Sequence, residues 1–383
     1  VSFYDGFPFF LCLIMILLPA VILGIMEKPL RYYQLCASIL VIGLVLHKNP
    51  AEFLNLILFY VLSVIVVKGY LAIRRKYGRV EILYYLAVLL GLLPLILCKV
   101  APLFRVSWFG FLGISYLTFR SVQVIIEIYD GVIREVPLVE FTAFLLFFPS
   151  FSSGPIDRSR RFHEDWSKVL ERKEYLTLLG DGVFKILLGM VYKIVIAATV
   201  YRWMAFLGSG NVWYLNLGYA YTYGIYLFFD FAGYSLMAAG TAYILGVRLP
   251  DNFKAPFVSK DLKEFWDRWH ITLSHWFRDF IFTRFIMKCV KKKWFHTRLQ
   301  RASVGFIINM GIMGVWHGLT PSYIVYGLYH GVILALTEIY QKKSKFYKKN
   351  KKKKWYQAAS WFVTMQIVFF GFFIFSGRFF EVI

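Results

Sequence analysis

The run ASVGFIINMGIMGVWHGL, residues 302–319, decides how this chain is read. Its only titratable side chain is His317, set in Gly314-Val315-Trp316-His317-Gly318. A stretch this long without lysine, arginine or carboxylate reads as a membrane-crossing helix, since about 20 apolar residues span the hydrocarbon core. A titratable ring at that depth is costly and normally faces a cavity or a partner. The same run therefore points to the fold class and to the first place to look for chemistry.

The rest of the chain repeats the pattern. Its 383 residues are 59% hydrophobic and 20% aromatic, a balance that soluble domains of this length do not carry. Eleven or twelve runs qualify as spans, according to whether 138–152 crosses: 7–26, 31–47, 53–73, 82–101, 108–133, 138–152, 178–206, 213–230, 231–246, the hairpin pair 302–319 and 324–340, and 357–377. The run 138–152 is short for a crossing and fits a re-entrant segment equally. No soluble domain separates out. The chain reads as one all-α polytopic bundle over 1–383, with N-terminal spans in 1–107, a core in 108–340, and a basic loop and last span in 341–383. Helices are required because lipid-facing backbone must satisfy its own hydrogen bonds. The run 7–26 is long enough to be a true span, and no small-residue cleavage pattern follows it. The sequence begins at Val1 without an initiator Met, so a few preceding residues are expected.

Net charge is +22, and the cations are clustered. Lysine fills nine of the thirteen positions from 342 to 354. Arg74, Arg75, Lys76 and Arg79 form a second cluster, and Lys291, Lys292, Lys293 and Arg298 a third. Arg158, Arg160, Arg161, Lys168, Arg172 and Lys173 form a fourth, diluted by acids. The loops 48–52, 102–107, 207–212 and 320–322 are nearly free of cations. The positive-inside rule makes the four clusters cytoplasmic and both termini external. Such loops set topology and attract anionic lipid, and they also suit an acidic protein partner. Nucleic acid is disfavoured, because the clusters flank spans and no recognition module is present. Cys12, Cys36, Cys98 and Cys289 have neither disulfide-framework nor zinc spacing, and no metal is expected.

Four regions interrupt the apolar pattern. In the first, Arg120 and Glu127 stand seven apart on one helix face, which favours internal pairing over chemistry. The second, Pro149-Ser150-Phe151-Ser152-Ser153-Gly154-Pro155, cannot continue a helix. It is either a connector or the lining of a polar path, with Ser153 as the path candidate. The third is Asp230, the only charged residue between Arg202 and Arg248. It should be protonated, paired or beside water, and both a site role and a structural hydrogen bond remain open. Ser235 follows it as a second path candidate. The fourth is 261–282, where Leu262, Phe265, Trp266, Trp269, Leu273, Trp276, Phe277 and Phe280 recur at helical spacing among charged residues. This predicts an amphipathic helix at the interface. His270 flanks its apolar stripe. His275 lies round toward the polar side, so the two do not make a helical zinc pair.

Of the seven histidines, His47, His163 and His296 sit near span ends or in basic loops and are read as surface residues. His330 is read as a buried, hydrogen-bonded core residue. His317 stands out because Gly314 and Gly318 allow close approach and because Leu319-Thr320-Pro321-Ser322 breaks the helix beyond it. No phosphate loop, nucleophile elbow or His-Glu-x-x-His pair is present. What remains is histidine general-base chemistry on an enclosed substrate, with Trp316 beside it on the substrate path.

These pieces occur in a known combination. Asp261-Leu262-Lys263-Glu264-Phe265-Trp266-Asp267-Arg268-Trp269-His270, then Ser274-His275-Trp276-Phe277-Arg278-Asp279, then Val315-Trp316-His317-Gly318, resembles the membrane-bound O-acyltransferase (MBOAT) family. The 149–158 stretch and Asp230-Phe231-Ala232-Gly233-Tyr234-Ser235 look like its bacterial branch that acylates cell-envelope polymers. The resemblance runs from about residue 113 to the C-terminus. It implies a multi-helix enzyme with amphipathic or re-entrant helices around a central cavity, its reaction centre within the bilayer of the cell membrane. His317 matches the family's catalytic histidine. His270 matches a second motif position, which implies a positioning or polarising role.

Within that branch the chain most resembles members that move D-alanine. The resemblance implies a donor thioester on the phosphopantetheine of an acidic cytoplasmic carrier protein, with no cofactor bound covalently to this chain. The acceptor side is a lipid or lipoteichoic acid, on the outer face of the membrane. The chemistry expected is proton abstraction from an acceptor hydroxyl by neutral His317 and attack on the thioester carbonyl. Burial keeps such a base uncharged. Phe285, Ile286, Met287, Lys291 and Lys292 are the predicted carrier-docking residues, where apolar side chains meet positive charge. Three alternatives stay open: an envelope polysaccharide O-acetyltransferase of the same family, a transporter or flippase without acyl transfer, and a non-catalytic scaffold.

Overall fold

The chain folds into helices almost throughout, as backbone surrounded by lipid must. The computed structural model describes residues 2–106 and 109–382. Ser107, from the predicted loop 102–107, and Trp108, the first residue of the predicted span 108–133, lie outside the described residues. The chain divides into two compact units, residues 1–190 with 233–250 and residues 191–232 with 251–383.

The first unit holds α1 (Phe7–Ile25), α2 (Arg31–Leu46), α3 (Pro50–Tyr77), α4 (Glu81–Val100), α5 (Ile114–Asp130), α6 (Leu138–Leu145), α7 (Ser159–Ser167) and α8 (Arg172–Met190). A π-helical segment, Val191–Ala197, leads into α9 (Ala198–Leu207). The long α10 (Trp213–Ile244) gives its first part to the second unit and its last part to the first. The second unit continues with α11 (Leu262–Trp266), α12 (Ile271–Phe277), π-helical Arg278–Phe282, α13 (Thr283–Lys291), α14 (Arg298–His317), α15 (Pro321–Lys343), α16 (Lys345–Asn350), α17 (Lys354–Phe375) and α18 (Arg378–Val382).

Local sequence sets the ends. Asn49 caps α3 by accepting from the Glu52 N–H, with Pro50 behind it, and Gly78 closes that helix at φ 71°. Thr297 and Gln300 form a reciprocal capping box on α14. Among the described residues, six helical stretches are long and apolar enough to cross a membrane: Phe7–Ile25, Pro50–Tyr77, Glu81–Phe104, Arg172–Leu207, Pro321–Lys343 and Lys354–Phe375. Large apolar side chains such as Ile65, Ile82 and Phe184 point outward on them, a surface that water would not tolerate but lipid accepts.

Three expectations change in detail. The runs 213–230 and 231–246 form the single helix α10, because no proline divides them and a lysine neutralises Asp230 (below). The run 138–152 does not span. α6 has eight residues, about 12 Å of helix, and the Pro149 segment turns instead. The segment 261–282 is not one amphipathic helix; the backbone breaks at His270, which takes a left-handed conformation (φ 44°) between α11 and α12. Its apolar stripe is nonetheless buried from Leu262 to Phe277.

Within the first unit, α5 packs against both α3 and α4 and is buried from Tyr116 to Ile128. Arg120 does not pair with Glu127. Its guanidinium donates to the carbonyls of Phe144 and Leu145, which end α6, and to Ser150. The fork satisfies orphan carbonyls at a helix C-terminus, which a carboxylate partner could not do. Glu127 accepts from Ser159 Oγ at 2.7 Å instead. Within the second unit, α14 and α15 make the closest pairing. A Cβ on Gly314 would stand 2.5 Å from the Tyr323 carbonyl oxygen, and one on Gly327 would stand 2.4 Å from that of Met310. Small residues let membrane helices approach this closely.

Candidate functional site

His317 is the last residue of α14, followed by an extended Gly318. Its ring lies 4.5 Å from Trp316, 5.0 Å from Phe375 and 5.9 Å from Tyr323, centroid to centroid. The aromatic walls fix the ring while part of the residue stays accessible. His317 is thus half-buried, held at the end of α14 among aromatic rings.

His270 faces the same neighbourhood of the second unit from another element. Its segment is pinned by backbone: Ile271 N–H donates to Asn252 O at 2.9 Å, and Lys254 N–H to Arg268 O at 3.0 Å. Asn252 Oδ1 accepts from the Thr272 N–H and hydroxyl. A non-glycine residue with φ near +44° is strained, and such strain persists only where surroundings over-determine it. The ring is buried, 4.6 Å edge-on from Phe231, and its Nδ1 has no hydrogen-bond partner among the described residues. Burial, and then the nearby His317, push the His270 imidazole down to about 3. Both predicted histidines lie in the second unit, with His317 near enough to bear on the His270 charge.

Asp230 is not alone. Lys193, from the π-helical segment, donates to its Oδ1. Sequence reading missed Lys193 because it lies inside the apolar run 178–206, and a local π-helical turn of this kind leaves no clear sequence signature. Trp316 lies beside His317. Ser235 is buried and Ser153 half-buried in the first unit, where their neighbours Tyr234 and Ser152 share a hydrogen bond of 2.6 Å. His330 is fully buried as expected, but neither ring nitrogen has a partner among the described residues. His47 and His163 bond at the surface, to Leu44 O and Glu140.

A cavity of about 240 Å³ opens in the second unit between α11, α12 and α14. Trp266, Ser274, His275, Arg278 and Asn309 line it. Trp266 Nε1 and Asn309 Oδ1 are buried there with no hydrogen-bond partner among the described residues. Orphaned buried polar atoms are rare and call for an occupant. Beyond the cavity's Phe282, α13 exposes Met287 (64%) and Val290 (57%) next to Lys288 and Lys291. Ile286 packs near Gly305, Phe285 is half-buried, and Lys292 is exposed. Among the described residues no group of histidine, cysteine and carboxylate side chains could hold a metal ion.

This arrangement is that of an acyltransferase that works in a membrane. The family profile of membrane-bound O-acyltransferases matches residues 75–377, and the chain belongs to that family. It is 41% identical to the teichoic acid D-alanyltransferase of Bacillus subtilis (strain 168), over 98% of each chain. It is also 41% identical to the teichoic acid D-alanyltransferase of Streptococcus thermophilus, over 97% of this chain and 94% of that one. A probable alginate O-acetylase of Pseudomonas syringae is 31% identical, over 70% of this chain and 49% of its own length.

Proposed function

We propose that this acyltransferase moves a D-alanyl group from a carrier-protein thioester toward a hydroxyl acceptor, for D-alanylation of teichoic acid. The observation that carries the reading is 41% identity to teichoic acid D-alanyltransferases along nearly the whole chain. The sugar O-acetylase alternative is weaker, since that likeness stops at about half the relative's length.

His317 Nε2 or Nδ1 takes the proton of the acceptor hydroxyl. The freed oxygen attacks the thioester carbonyl, the C–O bond forms, and the C–S bond breaks. The imidazolium returns its proton to the departing thiolate, so no acyl-enzyme is needed. General-base assistance of this kind contributes about 10²–10⁴-fold. His270, neutral and rigidly held, polarises or positions a reacting group.

The carrier side is the cationic side. Counting α1 to α5, α8 with α9, α10, α14, α15 and α17 as one crossing each, four of them shorter or less apolar than the six stretches given above, puts the four basic clusters after crossings of the same parity. The positive-inside rule supports a cytoplasmic side for those clusters, and we take the membrane to be the cell membrane. α13 then offers Met287 and Val290 within a ring of lysines to an acidic carrier. The orphaned Trp266 donor and Asn309 acceptor fit the amide groups of a phosphopantetheine arm, whose chemistry is to present the acyl group as a thioester. The test is D-alanyl transfer from loaded carrier by purified protein in lipid. Wild type transfers; folded His317→Ala loses at least about 100-fold. Unchanged transfer by that variant would overturn the assignment.

A further inference from the structure

The second unit contains a larger crevice, about 650 Å³, whose lining includes none of the residues assigned above to acyl transfer. It lies where α15 and α17 leave their apolar stretches for the lysine-rich segment around α16. Its walls change character with level. Leu336 and Val363 form an apolar wall and are 57% and 54% exposed on the outer faces of their helices. Tyr340 and Tyr356 follow, joined hydroxyl to hydroxyl at 3.2 Å. Lys260, Lys351 and Lys352 line the same crevice.

The charges are not cancelled. Lys260 Nζ donates to the neutral Gln357 at 3.1 Å, and Lys351 sits 5.7 Å over the Tyr347 ring. Two acids also line the crevice, and both are engaged. Asp261 accepts from the N–H groups of Lys263 and Glu264 and from Gln341. Glu264 accepts from Arg268 and from the Lys260 N–H. None of Lys260, Lys351 and Lys352 has a carboxylate ion-pair partner among the described residues.

We propose that this crevice binds one anionic glycerophospholipid, its phosphate between Lys260, Lys351 and Lys352 and its acyl chains along Leu336 and Val363. A free phosphate has no use for the apolar wall. An acidic protein segment has no use for a cleft that opens on the lipid-facing surface of two spanning helices. Tyrosine at the boundary between the two levels matches the amphipathic belt of a membrane interface.

The full chain, delipidated and reconstituted in nanodiscs, tests this by native mass spectrometry. Phosphatidylglycerol and phosphatidylcholine are offered in equal amounts. Wild type retains one phosphatidylglycerol in preference to phosphatidylcholine. Lys351→Glu with Lys352→Glu lowers retention at least about tenfold, since each cation at an anionic surface contributes about fivefold. Lys348→Glu with Lys349→Glu makes the same charge change outside the lining and leaves retention within about twofold. Val363→Trp, which fills the apolar wall at unchanged charge, also lowers retention. Equal loss in both charge pairs would reduce the effect to general surface attraction and overturn the site. Equal retention of the two lipids, or none in wild type, would overturn it as well. Monodisperse elution of each variant establishes that the fold is intact.

Discussion

The Lys193 ammonium donates a hydrogen bond to Asp230, tying the π-helical segment Val191–Ala197 to α10. Each charge alone in a spanning helix would be expensive, about 2.5–3.5 kcal/mol at the helix centre. Paired, they neutralise one another. The pair is also partly accessible, with side chains 22% and 34% exposed, so the full penalty does not apply.

Lys193→Met and Asp230→Asn should each destabilise the protein by about 1–2 kcal/mol, because each leaves one uncompensated charge. The double variant should recover most of that loss. Thermal unfolding in detergent reads the effect. If Asp230→Asn alone loses activity with unchanged stability, and the double variant does not regain it, Asp230 belongs to the chemistry and not to the pairing.

The sequence displays some of this directly. His317 stands out because a single titratable ring interrupts an apolar run, and the basic segments because their cations cluster. α10 is harder. A residue such as Asp230 looks like a boundary between two spans until its partner is known, and that partner lies 37 residues away on a segment of altered helical pitch. Arg120 misled for a related reason. Spacing along α5 pointed to Glu127 on the same face, whereas the guanidinium is used by the end of α6 and the 148–150 turn. Periodicity reports which residues share a face; it does not report which backbone carbonyls a neighbouring helix leaves unsatisfied. The break at His270 was equally hidden, since the apolar stripe continues across it and only the backbone angles reveal that two short helices meet there.

His270 offers a separate handle, through acid stability. Its imidazole is pushed down to about 3 by burial and by His317, whereas an unfolded histidine titrates near 6.5. Between those values the unfolded chain binds a proton that the native state refuses. Stability therefore is full above about pH 6.5 and falls as pH drops toward 3. His270→Asn should make this part of the stability profile shallower, with the other buried histidine, His330, keeping part of the slope, measured as melting temperature against pH. The same variant should lower turnover by less than His317→Ala does, with the activity–pH profile between 6 and 8 unchanged in shape, because His270 is neutral throughout that range. A moved acidic limb of activity, or a loss equal to that of His317→Ala, would make His270 a proton carrier and reverse the ranking.

The proposed docking on α13 divides into two measurable parts. Lys291 and Lys292 are exposed, and charge at the rim of an interface acts mainly on encounter. Lys291→Glu with Lys292→Glu should slow carrier association about tenfold and weaken its dependence on salt, leaving dissociation little changed. Met287 and Val290 are the exposed apolar centre, and truncation there acts on the lifetime of the complex. Met287→Asp should therefore speed dissociation several-fold while association at low salt stays near wild type. Biolayer interferometry with immobilised carrier, at two salt concentrations, separates the two rates. Affinity unchanged in both variants would move the carrier off α13. A loss in Met287→Asp alone would keep the site but make its attraction apolar, with the lysines serving topology.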